Sequence, residues 1–261
     1  MRRNLGILLS CLPLLAVSAE KDEIVTDRPD FVESSNVVGA GRFQLETSLA
    51  LERNKADGFK DRTYSSPTLF RFGISDTLEL RVETDGRIHN KSDNLATGAS
   101  TTQNGYADTS LGVKWHAVDE DGMRPSMGVL AHVDLDSGSG PFRAQGKGGS
   151  LRLAAEWELP GEMSLGVMPG VAWQHDDDGR RYTSGIFGIV LGKSWTERWR
   201  TFVEYSAPQI ARASHGGSVH TIDIGTAYLL ADTVQVDTAL SRGLNKTTPD
   251  WSWTVGFSIK F

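Results

Sequence analysis

Five charged residues recur at every second position of one short stretch: Glu79, Arg81, Glu83, Asp85 and Arg87. Leu78, Leu80, Val82 and Ile88 fall between or beside them. A period of two belongs to an extended strand, whose side chains alternate between faces. The charges therefore share one face and the aliphatic residues the other. Asp108, Lys114 and His116 repeat the arrangement on a later segment, as do His132 with Asp134 and Arg152 with Glu156. Glu158, Glu204, Asp223, Asp237 and Lys260 extend it. Such a face can bind or pass a polar solute, its charges setting selectivity. The same charges can instead pair across strands and fill the space they line. Both readings stay open from sequence alone.

Other residues suggest different chemistry. Ser214-His215, with His220 close by, holds the residue types of a serine–histidine hydrolase, and a lipid-modifying enzyme is one alternative function. Adjacency in sequence is not triad geometry, however. His175-Asp176-Asp177-Asp178 offers oxygen ligands to a cation, although a solvated acidic loop is the simpler reading. Cys11 is the single cysteine. The chain has no P-loop, GxGxxG, HExxH or paired-cysteine pattern, so no cofactor, metal or enzymatic activity is expected.

The elements that must position these residues follow from the same rhythm. Arg2 and Arg3 precede an apolar run from Leu5 to Val17, and Val17-Ser18-Ala19 fits a cleavage site. Residues 1–19 therefore read as a secretory signal. Its removal takes Cys11 with it and changes the net charge from -6 to -8, because 25 basic residues then face 33 acidic ones. An acidic exported chain is a poor partner for nucleic acid. No later segment is long and apolar enough for a membrane helix, which needs about 20 residues.

From Arg42 onward, twelve segments alternate apolar and polar residues, beginning with Phe43, Leu45, Thr47, Leu49 and Leu51 and ending with "DWSWTVGFSIKF". Their length, about 9–12 residues, is what a tilted strand needs to cross a hydrocarbon core. Brief turns at Ser75-Asp76-Thr77, Pro160-Gly161-Glu162 and Ala231-Asp232-Thr233 alternate with longer polar stretches such as Asn54–Asp61, Asn90–Gly105 and Asp136–Gly148. Short turns on one rim and long loops on the other describe a bacterial outer-membrane barrel. In lipid only closure gives every strand a partner. The expected fold is all-β: a closed antiparallel transmembrane β-barrel over residues 42–261, with about 12 strands (roughly 10–14, because segments eight to ten alternate weakly). Residues 20–41 are a periplasmic leader, either flexible or folded back as a small plug through Asp27, Arg28 and Asp30.

Both ends of the chain carry a resemblance. The stretch "IVTDRPDFVESSNVVGAGRFQLETS", Ile24–Ser48, resembles the opening of the MetA-pathway phenol-degradation family. Thr26-Asp27-Arg28-Pro29-Asp30, Glu33-Ser34, and Gly41 before Gln44-Leu45-Glu46 carry the likeness, which covers the leader and first strand only. It implies an exported Gram-negative barrel that takes up small, aromatic compounds. A last strand finishing in Phe261 resembles the signal read by the barrel assembly machinery. The partners this implies are outer-membrane lipid and lipopolysaccharide, that machinery and a small-molecule solute. A passive channel is the first reading of function, and a closed structural or adhesion barrel acting through its external loops is the alternative.

Overall fold

The computed structural model describes residues 23–176 and 178–261. The signal segment expected at residues 1–19, with Cys11, lies outside them, as does Asp177.

Alternating polar and apolar residues build one antiparallel sheet that closes on itself. β1 (Phe43–Ala56) pairs along its first half with β3 (Thr68–Gly73) and along its second with β2 (Phe59–Ser65). β2 and β3 are one strand interrupted at Ser66-Pro67, where proline offers no N–H to the ladder. β4 (Leu78–Thr84) and β5 (Arg87–Asn94) are one strand broken at Asp85-Gly86. β6 (Ser100–Tyr106) and β7 (Thr109–Val118) are one strand broken at Ala107-Asp108. The rest follow in order: β8 (Ser126–Asp134), β9 (Gly148–Leu159), β10 (Met163–His175), β11 (Arg181–Thr196), β12 (Trp199–Ile210), β13 (Val219–Ala231), β14 (Val234–Gly243) and β15 (Trp251–Lys260). β15 returns to β1, from Gln44 opposite Lys260 to Arg53 opposite Trp251. The ring of β1, β3, β4 and β7 to β15 has twelve strands, the number the alternation predicts.

β2, β5 and β6 continue beyond this ring as a small sheet on the rim of long connections. The stretches expected as polar loops at Asn54–Asp61 and Asn90–Gly105 are thus largely strand. Asp57 and Gly58 both take positive φ, 50° and 83°, as a two-residue hairpin turn requires. Above the bilayer such strands need no apolar face, so a polar composition did not mark a loop.

Among the described residues, helix is confined to single 3-10 turns at Gly140–Phe142 and Ala213–His215. No helix is long and apolar enough to cross a membrane. The barrel inverts the usual distribution of polarity. Gln44, Glu46, Arg71, Glu79, Arg81 and Lys114 are buried inside, whereas Leu49, Phe70, Phe72, Leu80, Trp115, Val255 and Phe257 are exposed outside. Outward tryptophans satisfy their indole N–H on threonines: Trp195 on Thr201 at 2.9 Å, Trp199 on Thr226 at 2.8 Å and Trp253 on Thr238 at 2.9 Å. Without such a partner each donor would be costly in hydrocarbon. The seam extends to Phe261, which exchanges backbone hydrogen bonds with Phe43 at 2.8 and 3.2 Å.

Candidate functional site

The leader runs inside the barrel. Its Ile24 N–H donates to the Asp232 carbonyl, 2.8 Å, in a short turn, and Gly41 N–H donates to the Gly73 carbonyl, 2.9 Å, on the same rim. Between these tethers the chain rises into the lumen and returns. A buried backbone must have its N–H groups met, and the wall meets them with carboxylates. Asp27 N–H donates to Glu46 at 3.0 Å, Phe31 and Val32 N–H to Glu204 at 2.8 and 2.7 Å, Ser35 N–H to Glu156 at 2.5 Å, and Val38 N–H to Glu79 at 2.9 Å. Guanidinium groups meet the carbonyls: Arg71 donates to Val25 and Asn36, both at 2.9 Å, and Arg200 to Arg28 at 2.8 Å.

Side-chain charges complete the fit. Asp27 accepts from Arg81 at 2.6 Å and from Lys114 at 2.8 Å, and lies 3.4 Å from Arg71. Glu33 accepts from Arg81 at 2.6 Å and from Arg152 at 2.7 Å. Glu79 bridges Arg71 at 2.9 Å and Arg81 at 3.0 Å, and Glu46 takes Arg71 at 3.0 Å. All four cations of this cluster come from the wall, which supplies only two, Glu46 and Glu79, of the four carboxylates hydrogen-bonded to them. Asp27 and Glu33 of the leader supply the other two. Burial alone would raise both leader carboxyls. The cations outweigh it, Arg71, Lys114 and Arg81 for Asp27 and Arg81 with Arg152 for Glu33, and hold both below the usual carboxylate range.

Inward glycines give the leader its space. A Cβ on Gly73 would stand 1.7 Å from the Gly39 carbonyl oxygen, one on Gly128 2.7 Å from that of Ser35, and one on Gly188 2.6 Å from Val32. Two cavities flank the leader. One of about 580 Å³ lies toward the long-hairpin rim and is bordered by Glu83, Asp85, Asp108, Asp134 and Arg152. The other, about 310 Å³, lies toward the short turns, beside Ser164, Ser194 and Arg200.

Of the residues singled out by spacing, Glu79, Arg81 and Lys114 sit at the centre, with Arg152 and Glu156 around them. Glu83 lies 3.8 Å from Arg81 and 3.9 Å from the buried His132. His116 Nδ1 lies 3.1 Å from the Ser35 carbonyl. Asp108 accepts from the N–H of Gly138 at 2.6 Å and of Ala144 at 2.8 Å, pinning a rim loop. Asp85 and Asp134 border the larger cavity, and Arg87 is exposed on the projecting sheet. In the leader, Asp30 lies 3.4 Å from Arg200 and Arg28 3.9 Å from Asp237. Arg71 and Glu46 escaped selection by charge density. Their parity, set against Phe70 and Phe72 and against Leu45 and Thr47, was the available signal.

The enzyme alternative rests on Ser214, His215 and His220. No hydrogen bond joins Ser214 to either histidine among the described residues. His215 stacks on Tyr182 at 4.7 Å, and His220 meets the Tyr205 hydroxyl at 2.8 Å. Asp176 and Asp178 are tied to Arg180 at 3.3 and 2.5 Å. No group of three metal-binding side chains occurs among the described residues.

No curated protein matches the sequence. Solved barrels match the fold. The COG4313 outer membrane channel from Pseudomonas putida F1 is 11% identical, with 87% of this chain and 98% of that chain covered and a TM-score of 0.64. The β domain of the Bordetella autotransporter Brka is 10% identical, with 84% and 99% covered and a TM-score of 0.55. The translocator domain of NalP from Neisseria meningitidis is 11% identical, with 87% and 90% covered and a TM-score of 0.53. At such identities the likeness is one of fold, that of outer-membrane β-barrels. The sequence itself is more specific: residues 26–261 match the family described as "Putative MetA-pathway of phenol degradation", from within the leader through the last strand, and the chain belongs to that family.

Proposed function

We propose that this protein is an outer-membrane channel for small neutral solutes, closed by its own leader. Export through the signal at residues 1–19 and short turns toward the periplasm orient it, so that the leader enters from the periplasmic mouth. The observation that carries the reading is the pair of cavities, about 580 and 310 Å³, on either side of the leader. Movement of one segment would join them.

The charges along that path favour uncharged cargo. Carboxylates of Glu83, Asp85 and Asp134 border the outer cavity together with Arg81 and Arg152, and when the leader moves away with Asp27 and Glu33, the cations Arg71, Arg81, Lys114 and Arg152 keep only Glu46 and Glu79 as hydrogen-bonded carboxylates. A cation attracted by the first group meets the second as a barrier, and an anion meets them in the opposite order. A neutral molecule meets neither barrier. The family description supports a small aromatic cargo. A phenolic hydroxyl titrates near 10 and is neutral at pH 7.

A reversible lock tests this. The chain past the proposed signal has no cysteine, so Val32→Cys with Gly188→Cys places a single thiol pair between leader and wall, where a Cβ on Gly188 would stand 2.6 Å from the Val32 side chain. Swelling of proteoliposomes in neutral solutes should be abolished in the oxidised variant and restored by reductant. Equal swelling of locked and reduced protein would overturn the gating. Absence of swelling and of bilayer conductance in every form would establish a closed structural barrel.

A further inference from the structure

On the outer wall, three adjacent strands change character at one level. Leu151 and Gly149 on β9, Val171 and Trp173 on β10, and Phe187 and Thr183 on β11 lie on the lipid-facing rows. The next outward positions are Lys147, His175 and Arg181. His175 and Arg181 are register partners, and Trp173 pairs with Gly149. The ladder between β9 and β10 ends there, and Lys147, just before β9, lines the same cavity as His175. Arg181 Nε lies 3.3 Å from His175 Nε2.

These bases border a cavity of about 510 Å³, floored by Gly148 and Gly149 and walled by Val133, Trp173 and Thr183. Among the described residues no carboxylate lines it. Asp134, close to Gly148, belongs to the lumen face, and Asp176 is engaged by Arg180 and His215. Lys147 forms no ion pair among the described residues, and His175 Nδ1 is buried without a partner. Elsewhere on this rim Arg242 is answered by Asp250 at 3.9 Å and by the face of Trp251 at 4.7 Å. A chain of net charge -6 has thus collected three bases that no described carboxylate lining the cavity answers, beside Trp173, at the level where aromatic side chains mark the boundary between acyl chains and headgroups.

We propose that Lys147, His175 and Arg181 hold a phosphate group of an outer-leaflet glycolipid, with an acyl chain lying along Trp173 and Val133. Guanidinium and ammonium donors suit a phosphate, and the row sits at headgroup depth given the orientation proposed above. The site faces lipid, away from the leader, so its occupancy does not depend on conduction.

The test uses the mature protein in lipid discs containing bis-phosphorylated lipid A or its dephosphorylated form, with bound lipid counted by native mass spectrometry. Wild type should retain the phosphorylated form selectively. Lys147→Gln and Arg181→Gln should each weaken retention roughly fivefold, and the triple variant with His175→Gln should lose the selectivity. Heat-dependent migration on gels verifies that each variant is a folded barrel. Equal retention of the two lipids by wild type, or unchanged selectivity in the triple variant, would overturn the proposal. So would inorganic phosphate occupying the site while phosphorylated lipid gains no preference, an outcome that assigns the pocket to free anions.

Discussion

Arg71, Arg81 and Lys114 converge on the Asp27 carboxylate at 3.4, 2.6 and 2.8 Å, all of them buried. Removing one member of such a group strands its partners' charge away from water, which typically costs about 3–5 kcal/mol. Asp27→Asn should therefore weaken leader docking by roughly that amount while the barrel stays folded. Limited proteolysis should find the leader cleaved in the variant at protease levels that spare it in wild type, and equal protection would contradict the network. The acidic and basic residues around Pro29 are visible in the sequence as a candidate plug, and Arg81 and Lys114 as lumen charges. Their meeting is not, because 54 and 87 residues separate them from Asp27. Arg71 was harder still. It stands alone between two phenylalanines, and only its parity shows that it faces inward.

The elements were more legible than the contacts. Lipid admits only strands whose outward residues are apolar, so period two runs through the twelve segments, weakly in the eighth to tenth, and bounds their number. Where the chain leaves the lipid the constraint lapses, and β2, β5 and β6 are polar strands that look like loops. The leader has no periodicity of its own, and its place is written instead on the wall, in inward positions occupied by glycine. Gly128 faces Ser35 this closely. Gly128→Leu should displace the Ser34–Asn36 passage while leaving the ladders of β8 intact. Exposure of a cysteine placed at Ser35 to a thiol reagent, slow in wild type, should become fast, and unchanged labelling would show that the leader does not press on this wall.

At the scale of the molecule, docking of the leader is an electrostatic balance between leader and wall. Both leader carboxyls are held below their ordinary range, so the docked leader binds fewer protons than the released one. Their contribution is complete above the ordinary carboxylate pKa, about 4, and is lost only as pH falls through the depressed values. Swelling rates of the wild-type protein should therefore stay flat from neutral pH down to about 4 and rise only in stronger acid. A rise centred near 6.5 would point to a histidine instead. The same balance bears on how the barrel is built. Asp27 finds its cations on β3, β4 and β7, whereas Phe31 and Val32 need Glu204 on β12. A half-finished barrel already holds the first set, so a nascent chain can seat its own beginning early. A barrel built in that order would close its second half against a seated leader, with Arg71 and Arg81 already beside Asp27.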